Sequence, residues 1–160
     1  MLDVVHGDIW SEYLRRSDVN LVIPTNGSVR GDGCAVMGRG LALQAARRFP
    51  GIPRLLGETL RTQYSLVYSP PPFLATLPHR LIAFPVKWRW PESADLELIG
   101  RSAEELALWL RHQPEKSVVM PCVGCGNGRL TWGCVRPRLE ALDAYDIACR
   151  VRVIDTAAIR

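Results

Sequence analysis

The sequence predicts a three-layer α/β/α domain with a mixed, partly parallel central sheet. Three observations lead there. Short apolar runs alternate with segments of helical period, which is the pattern of an α/β chain. Twice, at 20–49 and 117–145, an apolar run is followed by a glycine-rich loop and then a helical pattern. No internal repeat, linker or low-complexity tract interrupts the 160 residues, 48% of them hydrophobic and 22% charged. One domain over 1–160 is therefore expected, with enough apolar side chains for a core.

In order, "LDVV" (2–5) reads as a strand and "NLVIP" (20–24) as a buried strand ended by Pro24. After the first glycine loop, "LALQAARRF" (41–49) sets Leu41, Ala45 and Arg48 on one line, a helix ended by Pro50–Gly51. "PRLLGETLRTQ" continues as a second helix. "YSLVY" (64–68) and "RLIAF" (80–84) read as strands, separated by "SPPPFLATLPH", whose prolines exclude regular pairing. The longest helix is expected over 94–112, with Leu96, Ile99, Leu106, Trp109 and Leu110 at three- and four-residue steps. "SVVM" (117–120) is a strand, "PCVGCGNGRLTW" a loop, and "VRPRLEALDAY" a helix with Val135, Leu139 and Leu142 inward. "CRVRVI" (149–154) closes as a strand.

Composition excludes several classes. No apolar run approaches the roughly 20 residues of a membrane span. The start, "MLDVVHGDIW", lacks a basic region followed by an apolar stretch, so no signal peptide is expected and a bacterial cytoplasm is the expected compartment. Net charge is +4, with the positive residues spread out, which suits a phosphate-bearing ligand without requiring one. Five cysteines include the CxxC of Cys122 and Cys125. A zinc knuckle would need two more ligands, and Cys134 and Cys149 fall in a predicted helix and strand. A redox pair would open a helix, whereas "GNG" follows here. Small residues lining a tight turn in a reducing compartment is the reading, with no metal and no cofactor expected.

The glycine loops carry the functional argument. In open α/β sheets, ligands sit off the carboxyl ends of strands, where these loops lie. Glycines let backbone N–H groups approach an anion, and a helix N-terminus behind adds positive potential. Two such loops would grip a ligand with more than one phosphate; otherwise each is only a tight turn. No GxxxxGK with Ser or Thr is present, and "GDGCAV", "GRGLAL" and "GNGRLT" each lack the third glycine of a dinucleotide fingerprint.

Together, "GDI" after the first strand, "PTNG" after the second, "AVMGRGLALQAARRFP" and "PCVGCGNGRLTW" resemble the macro domain, an ADP-ribose-binding module. The order and spacing hold over nearly the whole chain. "VMGRG", "GCGNGRLTW" and "FPVKWRW" are similar to the branch of terminal ADP-ribose glycohydrolases and DNA ADP-ribosyl glycohydrolase antitoxins. The resemblance implies that Asp8 reads the adenine amino group with the backbone of Ile9 beside it; Asp8 also suits a helix N-cap before "IWSEYL". It implies that Asn26 reaches the distal ribose, where the residues alone suggest a turn before Gly27. Ala35, Val36, Met37, Gly38 and Gly40 would wrap the diphosphate and ribose from one side, with Val36 and Met37 as an apolar wall. Cys125, Gly126, Asn127, Gly128, Arg129 and Leu130 would close from the other.

Lys87 matches the catalytic lysine of the glycohydrolase branch, implied to attack C1 of the distal ribose. A free lysine has a pKa of about 10.4, so burial against Trp88 or Trp90 with Arg89 nearby would be needed to make it a neutral nucleophile. Position alone makes it an exposed strand-end lysine or a phosphate contact. The chain departs from the protein-directed relatives at Gly128, where they carry a second catalytic aspartate.

"KWRW" offers aromatic faces and cations at the expected target side, so Trp88, Arg89 and Trp90 are candidate target contacts; two tryptophans beside prolines also pack loops onto cores. The implied substrate is ADP-ribosylated single-stranded DNA or ADP-ribosylated acidic side chains of protein, with ADP-ribose as product. The DNA-directed relatives carry a further C-terminal region, and the sequence ending at Arg160 leads to the expectation of a free-standing, monomeric domain. A reader that binds ADP-ribose without turnover shares the same site, and a phosphatase acting on ADP-ribose 1″-phosphate is a third class.

Overall fold

The computed structural model describes residues 2–63 and 72–156. Six strands, β1 (Asp3–His6), β2 (Val19–Asn26), β3 (Ala75–Leu77), β4 (Leu81–Lys87), β5 (Ser117–Pro121) and β6 (Val151–Asp155), form one sheet in the order β1-β6-β5-β2-β4-β3. Every neighbouring pair is parallel except the edge pair β3–β4.

Residues alternate between the two faces of the strands, and each face receives its own helical layer. Leu21 and Ile23 of β2, Leu81 and Ala83 of β4 and Val119 of β5 pack with α1 (Ile9–Arg15), α2 (Gly40–Arg48) and α3 (Ile52–Gln63). Val22, Ile82, Phe84, Val118 and Met120 point the other way. They pack with α4 (Leu96–His112), α5 (Trp132–Val135), a 3₁₀ segment (Arg136–Asp143) and α6 (Tyr145–Ala148). Full burial of each such side chain contributes about 1.5–3 kcal/mol, so both cores bind the sheet firmly. The three-layer α/β/α class read from the sequence is the observed one.

Several elements differ from the sequence expectation. β2 does not stop at Pro24 but runs to Asn26. β5 pairs with β2 only over Val19–Leu21, so Pro24 lies where one flank of β2 has no ladder left to interrupt. The proline-rich stretch contains β3, which starts beyond the prolines and pairs antiparallel with β4 as an edge strand. The helix expected over 135–145 is broken: Pro137 cannot continue α5, the turn tightens to 3₁₀, and Leu139 leaves helical geometry at φ −94°, ψ 16°. Cys149 caps α6 instead of opening a strand. The strand expected at 64–68 lies outside the described residues.

The strand order places the site. From β2 the chain crosses to the edge strand β3, doubles back to β4 beside β2, and then builds β5 and β6 on the opposite side of β2. β2 and β5 are therefore where the winding reverses, and their carboxyl halves part above Leu21 and Val119. A crevice at such a switch point is the usual ligand position in open α/β sheets. One irregularity lies on its edge. Thr25 pairs with Pro85 but Asn26 pairs with Lys87, so Val86 is an extra residue in β4. The Asp95 N–H, at the N-cap of α4, donates to the Val86 carbonyl at 2.7 Å and pins that bulge.

Candidate functional site

A cleft of about 990 Å³ opens at the carboxyl ends of the parallel strands. Each strand end contributes: Asp8 and Ile9 after β1, Asn26 from β2, Lys87 from β4, the loop beginning at Cys122 after β5, and Asp155 from β6.

The first glycine loop is a small hairpin closed by a Val29–Ala35 bridge and an Arg30 N–H bond to the Cys34 carbonyl at 2.8 Å. It rests on α3, where the Ala35 N–H donates to the Pro53 carbonyl at 2.8 Å. Gly57 permits that approach, since a Cβ there would sit 2.8 Å from the Ala35 nitrogen. Asn26 staples the loop: its Nδ2 donates to the Val36 carbonyl at 3.1 Å and its Oδ1 accepts from the Ser28 N–H at 2.8 Å. Val36, Met37, Gly38 and Gly40 then line the cleft, while Ala35 is buried behind them.

Asp8 caps α1. One carboxylate oxygen accepts from the Trp10 N–H at 3.1 Å, the other from the Ser11 hydroxyl at 2.9 Å. It also lines the cleft, so cap and cleft positions coincide. Trp10 and Gln44 join it there, tied by a Trp10 Nε1 bond to Gln44 Oε1 at 2.7 Å, with the Arg48 guanidinium 4.1 Å above the indole. Sequence reading missed this pair. Its only signal was a polar Gln44 within the otherwise apolar start of α2.

The second loop folds on itself. The Leu130 N–H donates to the Gly124 carbonyl at 3.0 Å and the Arg129 N–H to the Gly126 carbonyl at 3.1 Å. A Cβ on Gly128 would press into the Gly124 main chain, 2.7 Å from its carbonyl carbon. The position at which protein-directed relatives were expected to carry an aspartate therefore accepts no side chain in this backbone. Cys125, Gly126, Asn127 and Gly128 line the cleft; the Leu130 side chain packs into the core instead. The two loops meet at Gly40 and Asn127: a Cβ on Gly40 would lie 3.2 Å from Asn127 Nδ2.

Lys87 stands at that junction. Its Nζ donates to the carbonyls of Glu92 at 3.1 Å, Trp90 at 3.2 Å and Asn127 at 3.4 Å. Burial lowers its pKa from the ordinary lysine value, the nearby charges of Arg129 and Arg39 lower it further, and Glu92 opposes them. Arg89, expected to act on Lys87, is instead bound to Glu92 at 2.6 Å and lies off the cleft wall. Trp88 also lies off the wall, with its carbonyl accepting from the Gly27 N–H at 2.9 Å. Trp90 lines the cleft, is 53% exposed, and is fixed by its N–H bond to Ser28 Oγ at 3.1 Å. Arg39, like Trp10 and Gln44, is a cleft residue that sequence reading did not single out.

Cys122 and Cys125 are free thiols in the cleft floor. Burial and the Asp155 charge push Cys122 up to about 11 and raise Cys125 as well. Both thiols thus stay protonated at neutral pH, which disfavours thiolate ligation or nucleophilic redox chemistry. Among the described residues, no three His, Cys, Asp or Glu side chains gather to hold a metal ion, and no helix is long and apolar enough to cross a membrane.

The fold matches solved structures. The macrodomain of Mycobacterium tuberculosis DarG aligns over 98% of this chain and 97% of its own, with a TM-score of 0.71 and 27% identity. The chain belongs to the macro-domain family. The Thermus aquaticus DarG macrodomain matches this macro domain equally well, with a TM-score of 0.71 and 28% identity over the same shares of both chains. Among curated proteins, the DNA ADP-ribosyl glycohydrolase of Thermus aquaticus is 31% identical over 117 residues, which is 69% of this macro domain and 32% of that protein. Its Mycobacterium tuberculosis counterpart is 29% identical over 129 residues, 79% of this chain and 35% of the relative. The macro domain thus spans about a third of the length of the curated relatives it matches. No family model matches the sequence.

Proposed function

We propose that this macro domain is an ADP-ribosyl hydrolase, which binds ADP-ribose in the cleft and releases it from a modified macromolecule by lysine-dependent attack at C1 of the distal ribose. The observation that carries the reading is the place of Lys87: at the junction of the two glycine loops, partly buried, with its charge opposed by Arg39 and Arg129.

In this reading the adenine lies toward Asp8, Ile9 and Trp10, and the diphosphate between the loops, near the N-terminus of α2. The distal ribose meets Val36, Met37 and the Asn26 staple, which places C1 before Lys87. The neutral amine donates its lone pair to C1, the bond from C1 to the target breaks, and the leaving group takes up a proton. Water then attacks C1, and the C1–lysine bond breaks to return ADP-ribose and the amine. With Gly128 closed to side chains, no second carboxylate serves from that position. The protons are carried by the substrate's own groups or solvent. No metal is required in this scheme.

The names of the curated relatives favour ADP-ribosylated DNA as the target. Trp90 supports it, because an exposed indole at the cleft rim offers a face on which an unpaired base stacks. A monomer in the cytoplasm completes the proposal. A second reading, an ADP-ribose reader without turnover, is favoured by one observation: three carbonyls around Nζ suit an ammonium, which has three N–H bonds to give, better than an amine. The test compares release of ADP-ribose from modified single-stranded DNA and from glutamate-modified protein, by wild type and Lys87→Ala. Lysine-dependent release from DNA is the expected result; tight binding with no release from either substrate would establish the reader.

A further inference from the structure

Two cations at the cleft mouth have no internal task. Arg30, Arg89, Arg101, Arg136 and Arg152 each meet a carboxylate, and Arg80 and Arg150 satisfy backbone carbonyls. Among the described residues, the guanidiniums of Arg39 and Arg129 have neither a carboxylate nor a carbonyl partner. Both residues are exposed. Arg39 sits at the N-cap of α2, where its side chain makes no capping bond. Arg129 holds a left-handed backbone at φ +64°, a conformation that favours glycine or asparagine.

Their places are linked. Arg39 directly precedes Gly40, Arg129 follows Asn127 by two residues, and Gly40 and Asn127 are where the loops touch. Each loop therefore brings one guanidinium to the junction that holds Lys87. Both charges are felt at the lysine. In the proposed reading the diphosphate of ADP-ribose is held by loop backbone and the α2 N-terminus; Arg39 lines the cleft at that N-terminus, while Arg129 stands off the cleft wall beside the loop junction.

We infer that Arg39 and Arg129 read the target strand, each pairing with a phosphodiester that flanks the modified nucleotide. The inference rests on the cleft being an ADP-ribose site with its target at Lys87. A planar guanidinium suits a phosphodiester through paired N–H bonds, and one arginine per loop lets a strand cross the mouth with the modified base turned inward.

The experiment measures binding, so it is separable from turnover. In a Lys87→Ala background, affinities for an ADP-ribosylated nucleoside and for the same nucleoside within a short single strand are measured across salt concentrations. The strand is expected to bind more tightly than the nucleoside, and Arg39→Gln with Arg129→Gln should shrink that advantage about tenfold and flatten the salt slope by about 1.4, at roughly 0.7 per phosphate. Arg54→Gln, off the cleft, should change neither, and melting curves verify that the variants fold. An unchanged advantage in the double variant would overturn the inference. So would an equal loss for both ligands, which would assign the arginines to the diphosphate of ADP-ribose. Failure of wild type to release ADP-ribose would sink the hydrolase reading while leaving this comparison intact.

Discussion

Asn26 and Lys87 are register partners across β2 and β4 because Val86 is an extra residue in β4. The bulge brings the lysine level with the asparagine that staples the first glycine loop, and the Asp95 N–H holds it there. Bulges beside functional sites commonly re-aim a side chain in this way.

Removing the staple tests what the loop is worth. Asn26→Ala leaves the Val36 carbonyl and the Ser28 N–H without their present partner. The cost is about 1–3 kcal/mol. ADP-ribose affinity by calorimetry should fall at least as far as stability does, since the loop supplies one wall of the cleft. Unchanged affinity would show that Val36 and Met37 do not meet the ligand.

Gly128 gives a prediction of opposite character. Gly128→Asp should not create a second catalytic acid. Its Cβ would lie 2.8 Å from Gly124 Cα, so the loop must move, at a cost of about 1–3 kcal/mol. Gly128→Ala should lose ADP-ribose affinity and melting temperature to a similar degree, because the obstruction begins at Cβ. An Asp variant with raised turnover would refute the packing argument.

The pH dependence follows from Lys87. In the proposed mechanism only the neutral amine attacks C1, so turnover should rise with pH along a limb centred below the ordinary lysine value of about 10.4. Glu92→Gln removes a negative charge that favours the ammonium, so the limb should move to lower pH. Arg129→Gln removes a cation and should move it upward. Displacements in the reverse directions would mean that another group sets the profile.

Stability has its own titrating contact. Asp143 binds Arg136 through two bonds, at 2.7 and 3.1 Å, and accepts from the Leu2 N–H at 2.8 Å. The Arg136 bond lowers its pKa below the ordinary carboxylate value. A depressed folded value stabilises the native state above the unfolded pKa of about 3.9, and this is lost as pH falls through the folded value. Asp143→Asn should therefore lower the melting temperature at neutral pH and have much less effect in strong acid.

The sequence made the glycine loops legible because they depend on local pattern, glycines after an apolar run; Lys87 was singled out by the family resemblance, since its position alone reads as an ordinary strand-end lysine. Strands and long helices were readable from local pattern as well. The Trp10–Gln44 pair was not, since it forms where α1 meets α2. Nor was the bulge at Val86, because register depends on the neighbouring strand and not on periodicity. The 3₁₀ segment hid in an apolar spacing that suits an α-helix, although Pro137 was the residue that broke it. Arg89 stands beside Lys87 in sequence but turns to Glu92, leaving two sequence-distant arginines to act on the lysine.

One assay tests the role of Lys87 most directly. ADP-ribosylated single-stranded DNA is incubated with wild type and with Lys87→Ala, and released ADP-ribose is measured alongside ADP-ribose affinity. Release by wild type that vanishes in the variant, with affinity retained, is the predicted result. Equal release by both proteins, or none by wild type despite tight binding, would contradict a lysine-dependent hydrolase.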